Sequence, residues 1–269
     1  MPFVRSRLSY TVASVLLGWL ASFVFAGAAP VEKSPNNAQI EKQYSRWKAK
    51  LSSAQQAWET WLQHNLGETN RLIYERAKVE GKATEFDYVK DDPALPHVLL
   101  IGDSISCGYT LAVREALAGK ANIYRAPANC GSTTDGVQKL DAWLGNRKWD
   151  VIHFNFGIHD WSTDPAVYEK QLEQIVDRLE GTGAKLIWAS TTPVPPDTAE
   201  GPAAALAIDR ENHIARHIMH EHGIAIDRLH HFITPHIAEV QNPHDVHFSK
   251  AGYRLLAGQV ATSIRTLLE

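Results

Sequence analysis

Two short segments far apart in the chain hold residue types that can do covalent chemistry together. One is Gly102-Asp103-Ser104-Ile105-Ser106; the other, near the carboxyl terminus, is His244-Asp245-Val246-His247-Phe248-Ser249. A serine hydroxyl is inert until a base takes its proton. An imidazole can do this, and a neighbouring carboxylate fixes its tautomer and supports the imidazolium. In this reading Ser104 is the nucleophile, His247 the base and Asp245 its orienter, a set suited to acyl transfer. The plainer reading is that Ser104 or Ser106 only caps a helix, and that His247 is one more structural residue among 13 histidines.

Acyl transfer also needs donors for an oxyanion. Gly131, within Asn129-Cys130-Gly131-Ser132, can present an unobstructed N–H, as can Ser104 itself at a helix N-terminus. In Asn155-Phe156-Gly157-Ile158-His159-Asp160, alternation along an extended segment sends Asn155 and His159 to one side. Either supplies a side-chain donor, or both simply tie down loops. The G-x-S-x-G elbow is not met, because Ser106 stands where its last glycine belongs.

These residues must be positioned by elements that the hydrophobic pattern announces. Strands are expected at His97–Gly102, Asn122–Ala126, Asp150–Phe156, Ala184–Ser190 and Ile224–Asp227. Helical patterns lie between them at about 106–118, 133–144, 165–181 and 204–222, with a last one at about 250–268. Val98-Leu99-Leu100-Ile101 is apolar without alternation, as in a strand covered on both faces. Such strand–helix repetition implies a parallel sheet between two helical layers. Functional residues in these sheets gather at the carboxyl ends of the strands, which is where all the candidates fall.

Together the segments resemble the SGNH (GDSL-type) hydrolase superfamily over residues 97–268. Gly102-Asp103-Ser104 matches its first block and Gly131 its second-block glycine. Gly157-Ile158-His159-Asp160 stands for Gly-x-Asn-Asp, with His159 in place of the oxyanion asparagine. Asp245-Val246-His247 is one residue shorter than the usual Asp-x-x-His, and Thr191-Thr192-Pro193-Val194-Pro195 looks like the loop many members carry after the fourth strand. The resemblance implies a three-layer α/β/α fold with a central five-stranded parallel sheet, related to flavodoxin. It implies a carboxylic ester hydrolase with Ser104, His247 and Asp245 catalytic. Ser104, Gly131 and either His159 or Asn155 form the oxyanion hole, and no cofactor or metal is needed.

The first residues are a different material. Arg5 and Arg7 precede an apolar run from Leu8 to Phe25, then Ala26-Gly27-Ala28-Ala29, the order of a secretory signal over residues 1–28. Uncleaved, the same run would be a membrane anchor. Export to the periplasm or the extracellular space is therefore expected. Residues 29–90 read as a polar tether, through 31–37, followed by a helical extension; residues 91–269 read as the hydrolase domain. Ile40, Tyr44, Trp47, Leu51, Ala54, Trp58 and Trp61 recur at 4-3-4-3-4-3 spacing, one stripe of a helix that docks on the domain behind it or meets a protein partner. A second helical stretch runs from Leu72 to Val79, ending near Gly81.

Lys and Arg number 27 against 30 Asp and Glu, a net charge of −3, and no basic patch stands out, so a nucleic-acid partner is not expected. The two cysteines, Cys107 and Cys130, fall on adjacent loops if the first two strands are neighbours. A disulfide between them is expected, with two buried free thiols as the alternative. His213 and His217 have an i, i+4 spacing that can chelate zinc, with His220 and His222 nearby, but no H-E-x-x-H pattern accompanies them and the face reads as solvated.

The expected substrate is a small acyl ester, an O-acetyl group on carbohydrate for instance, with Tyr109, Trp161 and Tyr168 lining a sugar-sized cleft or else packing in the core. A lipid esterase, thioesterase or O-acyltransferase is the neighbouring alternative. A non-catalytic carbohydrate-binding or scaffold protein is the more distant one.

Overall fold

The computed structural model describes residues 35–198 and 201–269. The expected signal over 1–28 and the start of the tether lie outside them. The sheet is built from β1 (His97–Ile101), β2 (Asn122–Arg125), β3 (Val151–Phe154), β4 (Lys185–Ala189) and β5 (Ala225–Asp227), all parallel, in the order β2-β1-β3-β4-β5. This is the expected doubly wound α/β fold. Each predicted strand is present, trimmed by a residue or two at its ends.

In β1 the period of two divides an unbroken apolar run between two cores. Val98 and Leu100 face one cluster and Leu99 and Ile101 the other. The first layer is made by α4 (Ser104–Ala116) and α10 (Lys250–Leu268), joined by the short α8 (Leu229–Ile233). The second is made by α5 (Thr133–Leu144), α6 (Pro165–Glu180) and α7 (Gly201–Glu221). A four-residue helix, α9 (Ile237–Val240), completes the connection from β5 to α10. The stretch 229–240 carried no strong periodicity, and its helices were not foreseen.

Ahead of the sheet lie α1 (Pro35–Lys48), α2 (Ser53–Asn65) and α3 (Glu68–Val79). Two sequence expectations need correction here. The tether is shorter than read, since Pro35 already begins α1. The seven-residue stripe is not one helix, because residues 49–52 break it. The cause is local: Ser52 accepts from Gln55 N while the Gln55 side chain returns to Ser52 N, a reciprocal cap that starts a new helix.

The three helices share a small core of Tyr44, Leu62, Leu66, Tyr74 and Phe86. Within it Glu59 accepts hydrogen bonds from the hydroxyls of Tyr44 and Tyr74. Trp58 joins this core to that of the sheet, and its indole donates to the Phe86 carbonyl at 2.8 Å. Trp58 is thus the point at which the Trp-rich segment docks on the sheet. No helix of the described residues is long and apolar enough to cross a membrane.

Candidate active site

The strand order reverses direction at β1 and β3, and in open α/β sheets the crevice beyond such a switch point receives ligands. Ser104 leaves β1 there. Its hydroxyl is not the helix cap: that work falls to Asp103, whose side chain accepts from Ile105 N at 2.9 Å. Ser106 is buried and donates to the Asp103 carbonyl. Ser104 stays partly exposed, with its Oγ 2.8 Å from His247 Nε2.

His247 is held by a closed turn. Gln241 and Phe248 form an antiparallel bridge, Asn242 N donates to the His247 carbonyl, and Gln241 Nε2 donates to the carbonyls of Pro193 and Val246. Asp245 Oδ1 accepts from His247 N at 3.1 Å, an Asx-turn, and from His247 Nδ1–H at 2.7 Å. An ionised carboxylate only accepts, so Nδ1 carries the proton and Nε2 offers its lone pair to the Ser104 O–H. Although desolvation raises the Asp245 carboxyl, the hydrogen bonds from His247 outweigh it and hold the group below the usual carboxylate value. The structure thus brings Ser104, His247 and Asp245 into one relay.

The donors divide. Gly131 lies at φ +66, and a Cβ there would stand 2.5 Å from Asp135 Oδ2, so glycine is required on both counts. Neither its N–H nor that of Ser104 donates to a described residue. Asn155 is otherwise occupied: its amide donates to Ala189 O at 2.7 Å and to Thr191 Oγ1 at 2.9 Å, which uses both hydrogens. His159 is the exposed residue of a short helical turn, Ile158–Asp160. Ile158 and Trp161 on either side of it pack on the same small cluster as Val246, one residue before His247.

Asp160 is fully buried and accepts from Thr133 N, Thr133 Oγ1 and Thr163 Oγ1, tying the turn after β3 to the start of α5 beside Gly131. Burial raises its carboxyl more than these bonds lower it. Glu211 of α7 is also buried, with neither carboxyl oxygen hydrogen-bonded; burial first and the charge of Asp160 second push it up to about 8.

The expected disulfide is not formed: Cys107 and Cys130 are free thiols. The reason is Arg125, fully buried on β2, whose guanidinium stands 3.3 Å from Cys107 Sγ and 3.6 Å from Cys130 Sγ. The same group donates to the carbonyls of Leu100, Gly102 and Asp103, so it braces the strand end that carries Ser104. Burial pushes the Cys107 thiol up to about 11 against the lowering effect of Arg125, and raises Cys130 likewise. Tyr109 and Tyr168 lie in the core, Tyr109 against a cavity too small for a sugar; of the three aromatics named for that role only Trp161 stays part-exposed. His217 pairs with Glu221, and His222 with Glu180. The grouping of metal-ligand type found among the described residues, Asp177, Glu180 and His222, includes neither His213 nor His217.

Arg125, Asp160 and Asn212, which holds Thr191 by both its N–H and its carbonyl, were not foreseen as parts of the site. A lone arginine inside an apolar strand was the available signal for the first. For the other two no local pattern exists.

The sequence profile of the GDSL-like lipase/acylhydrolase family matches residues 100–255, more than half of the chain, and the chain belongs to that family within the SGNH superfamily. Its fold is shared by a lipase/acylhydrolase from Enterococcus faecalis (TM-score 0.57, 22% identity, covering 64% of this chain and 96% of that one). It is shared also by Axe2, an acetylxylan esterase from Geobacillus stearothermophilus (TM-score 0.54, 16% identity, 63% and 94% covered). At these identities the likeness is one of fold. No curated protein sequence matches the chain.

Proposed function

We propose that the protein is a serine esterase that removes small acyl groups, O-acetyl on carbohydrate above all, through an acyl-enzyme. The observation that carries this reading is the continuous hydrogen-bonded path from Ser104 Oγ through both nitrogens of His247 to Asp245. Ser104 Oγ attacks the ester carbonyl while His247 Nε2 takes its proton, and Asp245 supports the imidazolium. The N–H groups of Ser104 and Gly131 receive the oxyanion, with His159 as the third donor since Asn155 is committed elsewhere. His247 returns the proton to the departing alcohol, and a water activated by the same nitrogen then releases the acid.

No broad apolar lid segment is evident in the sequence, which favours a short acyl group over a long chain. The signal pattern of residues 1–28 supports export, so the substrate is one met outside the cytoplasm. The test is hydrolysis of p-nitrophenyl acetate and of acetylated xylan, against p-nitrophenyl esters of long acids, by wild type and Ser104→Ala. Equal rates in wild type and variant would instead favour a binding protein.

A further inference from the structure

On the far side of β4 from Ser104, between α7 and the edge strand β5, lies a cavity of about 410 Å³ that the ester chemistry does not use. That volume suits a small-molecule ligand. Its wall is basic: Arg216 and His213 come from α7, and Arg228, His230 and His231 from the end of β5 and the start of α8. Asp209 is the carboxylate among the lining residues, mostly exposed and 3.5 Å from His230. Among the described residues neither guanidinium has a carboxylate partner, although arginines are commonly found paired.

A second observation is independent of charge. Trp188 is 1% exposed, lines the same cavity, and its indole N–H has no hydrogen-bond partner. A buried donor left so costs about 1–3 kcal/mol, and a ligand oxygen would satisfy it. Burial lowers the His230 imidazole below the usual value, Asp209 opposes this and Arg216 adds to it, so the positive charge of the wall comes first from the two arginines.

We propose that this cavity binds a small organic anion, held by a carboxylate or phosphate group between Arg216 and Arg228 and by the Trp188 indole. Planar guanidinium donors match both oxyanions, and the volume leaves room for a sugar-sized body behind the charged group. Asn212, which holds Thr191, also lines this cavity, but the two arginines belong to no part of the esterase site, so the proposal does not rest on the esterase reading.

Calorimetric titration of the full chain tests it with four probes: glucuronate, glucose 6-phosphate, inorganic phosphate and uncharged glucose. At least one of the two organic anions should bind, glucose should not, and the pair of organic anions tells carboxylate from phosphate. Arg216→Gln combined with Arg228→Gln should weaken binding roughly tenfold or more, and Trp188→Phe a few-fold. Circular dichroism, the thermal midpoint and p-nitrophenyl acetate hydrolysis should remain those of wild type. If the double variant does not fold, Arg228→Gln alone serves. Failure of all three anions to bind at about 10 mM, binding of glucose as tight as that of the anions, or unchanged anion affinity in the folded arginine variants would each overturn the proposal.

Discussion

A single oxygen of Asp245 serves two hydrogens of His247, the backbone N–H and the ring Nδ1–H. The three-residue Asp245-Val246-His247 spacing, one shorter than the family's usual block, works because the Asx-turn brings the carboxylate back onto the ring of the residue two positions later. Replacing Asp245 by Asn exchanges a charged group that only accepts for an amide that can also donate, so the tautomer is no longer fixed. Turnover of p-nitrophenyl acetate should fall by about 10²–10⁴. Because the carboxyl is held below its usual value, it is ionised throughout the neutral range, and the deficit should persist from pH 6 to pH 8. A deficit confined to one of these would show another role.

Ser104→Ala should reduce ester hydrolysis by about 10³-fold or more while leaving the thermal midpoint unchanged, since Asp103 and not Ser104 caps α4. Mass spectrometry of wild type quenched in p-nitrophenyl acetate should show an acetyl adduct on Ser104, absent from the variant.

Gly131→Ala tests the oxyanion loop. The new Cβ meets Asp135 Oδ2, the side chain that completes the cap of α5, at a backbone conformation that disfavours alanine. A loss of about 10²-fold in kcat should accompany a stability loss of about 1–3 kcal/mol. Wild-type turnover in a folded variant would remove Gly131 from the site.

Thiol titration addresses the buried pair. Ellman's reagent should react slowly with the native protein, whose thiols burial keeps protonated, and should find two thiols after denaturation without reductant. Arg125→Leu removes the guanidinium's bonds to the Leu100, Gly102 and Asp103 carbonyls and should cost about 1–3 kcal/mol, visible as a lower urea midpoint.

Glu211 gives the stability a pH dependence of defined sign. Its folded value, about 8, lies above the ordinary glutamate value of 4.5. The native state therefore keeps a proton that the unfolded chain has released, and stability declines as pH rises between these values. Glu211→Gln should abolish that decline. Relative to the variant, wild type should lose on the order of a few kcal/mol from about pH 5 to pH 8; parallel curves would show that Glu211 does not titrate in that window.

The sheet was legible because unbroken apolar runs such as Val98–Ile101 alternate with helical patterns of the right length, and the relay was legible because serine, histidine and aspartate each sit at a strand end or before a helix. What stayed hidden depends on contacts between distant segments. Nothing near Asn155 says that Ala189 and Thr191 will claim its amide. Cys107 and Cys130 do come close, as adjacent loops suggested, but the intervening side chain belongs to Arg125 on a third segment. The break at residues 49–52 was written in Ser52 and Gln55 and was overridden in the reading by the longer-range Trp stripe.

Because β1 and β3 send their connections away in opposite directions, the opening above them is a property of the chain's path and not of any side chain. The segments after β4 and before α10 border it without contributing a rung to the ladder. Transplanting those two segments from a relative with a different appetite should redirect the choice of ester while the scaffold beneath stays as it is.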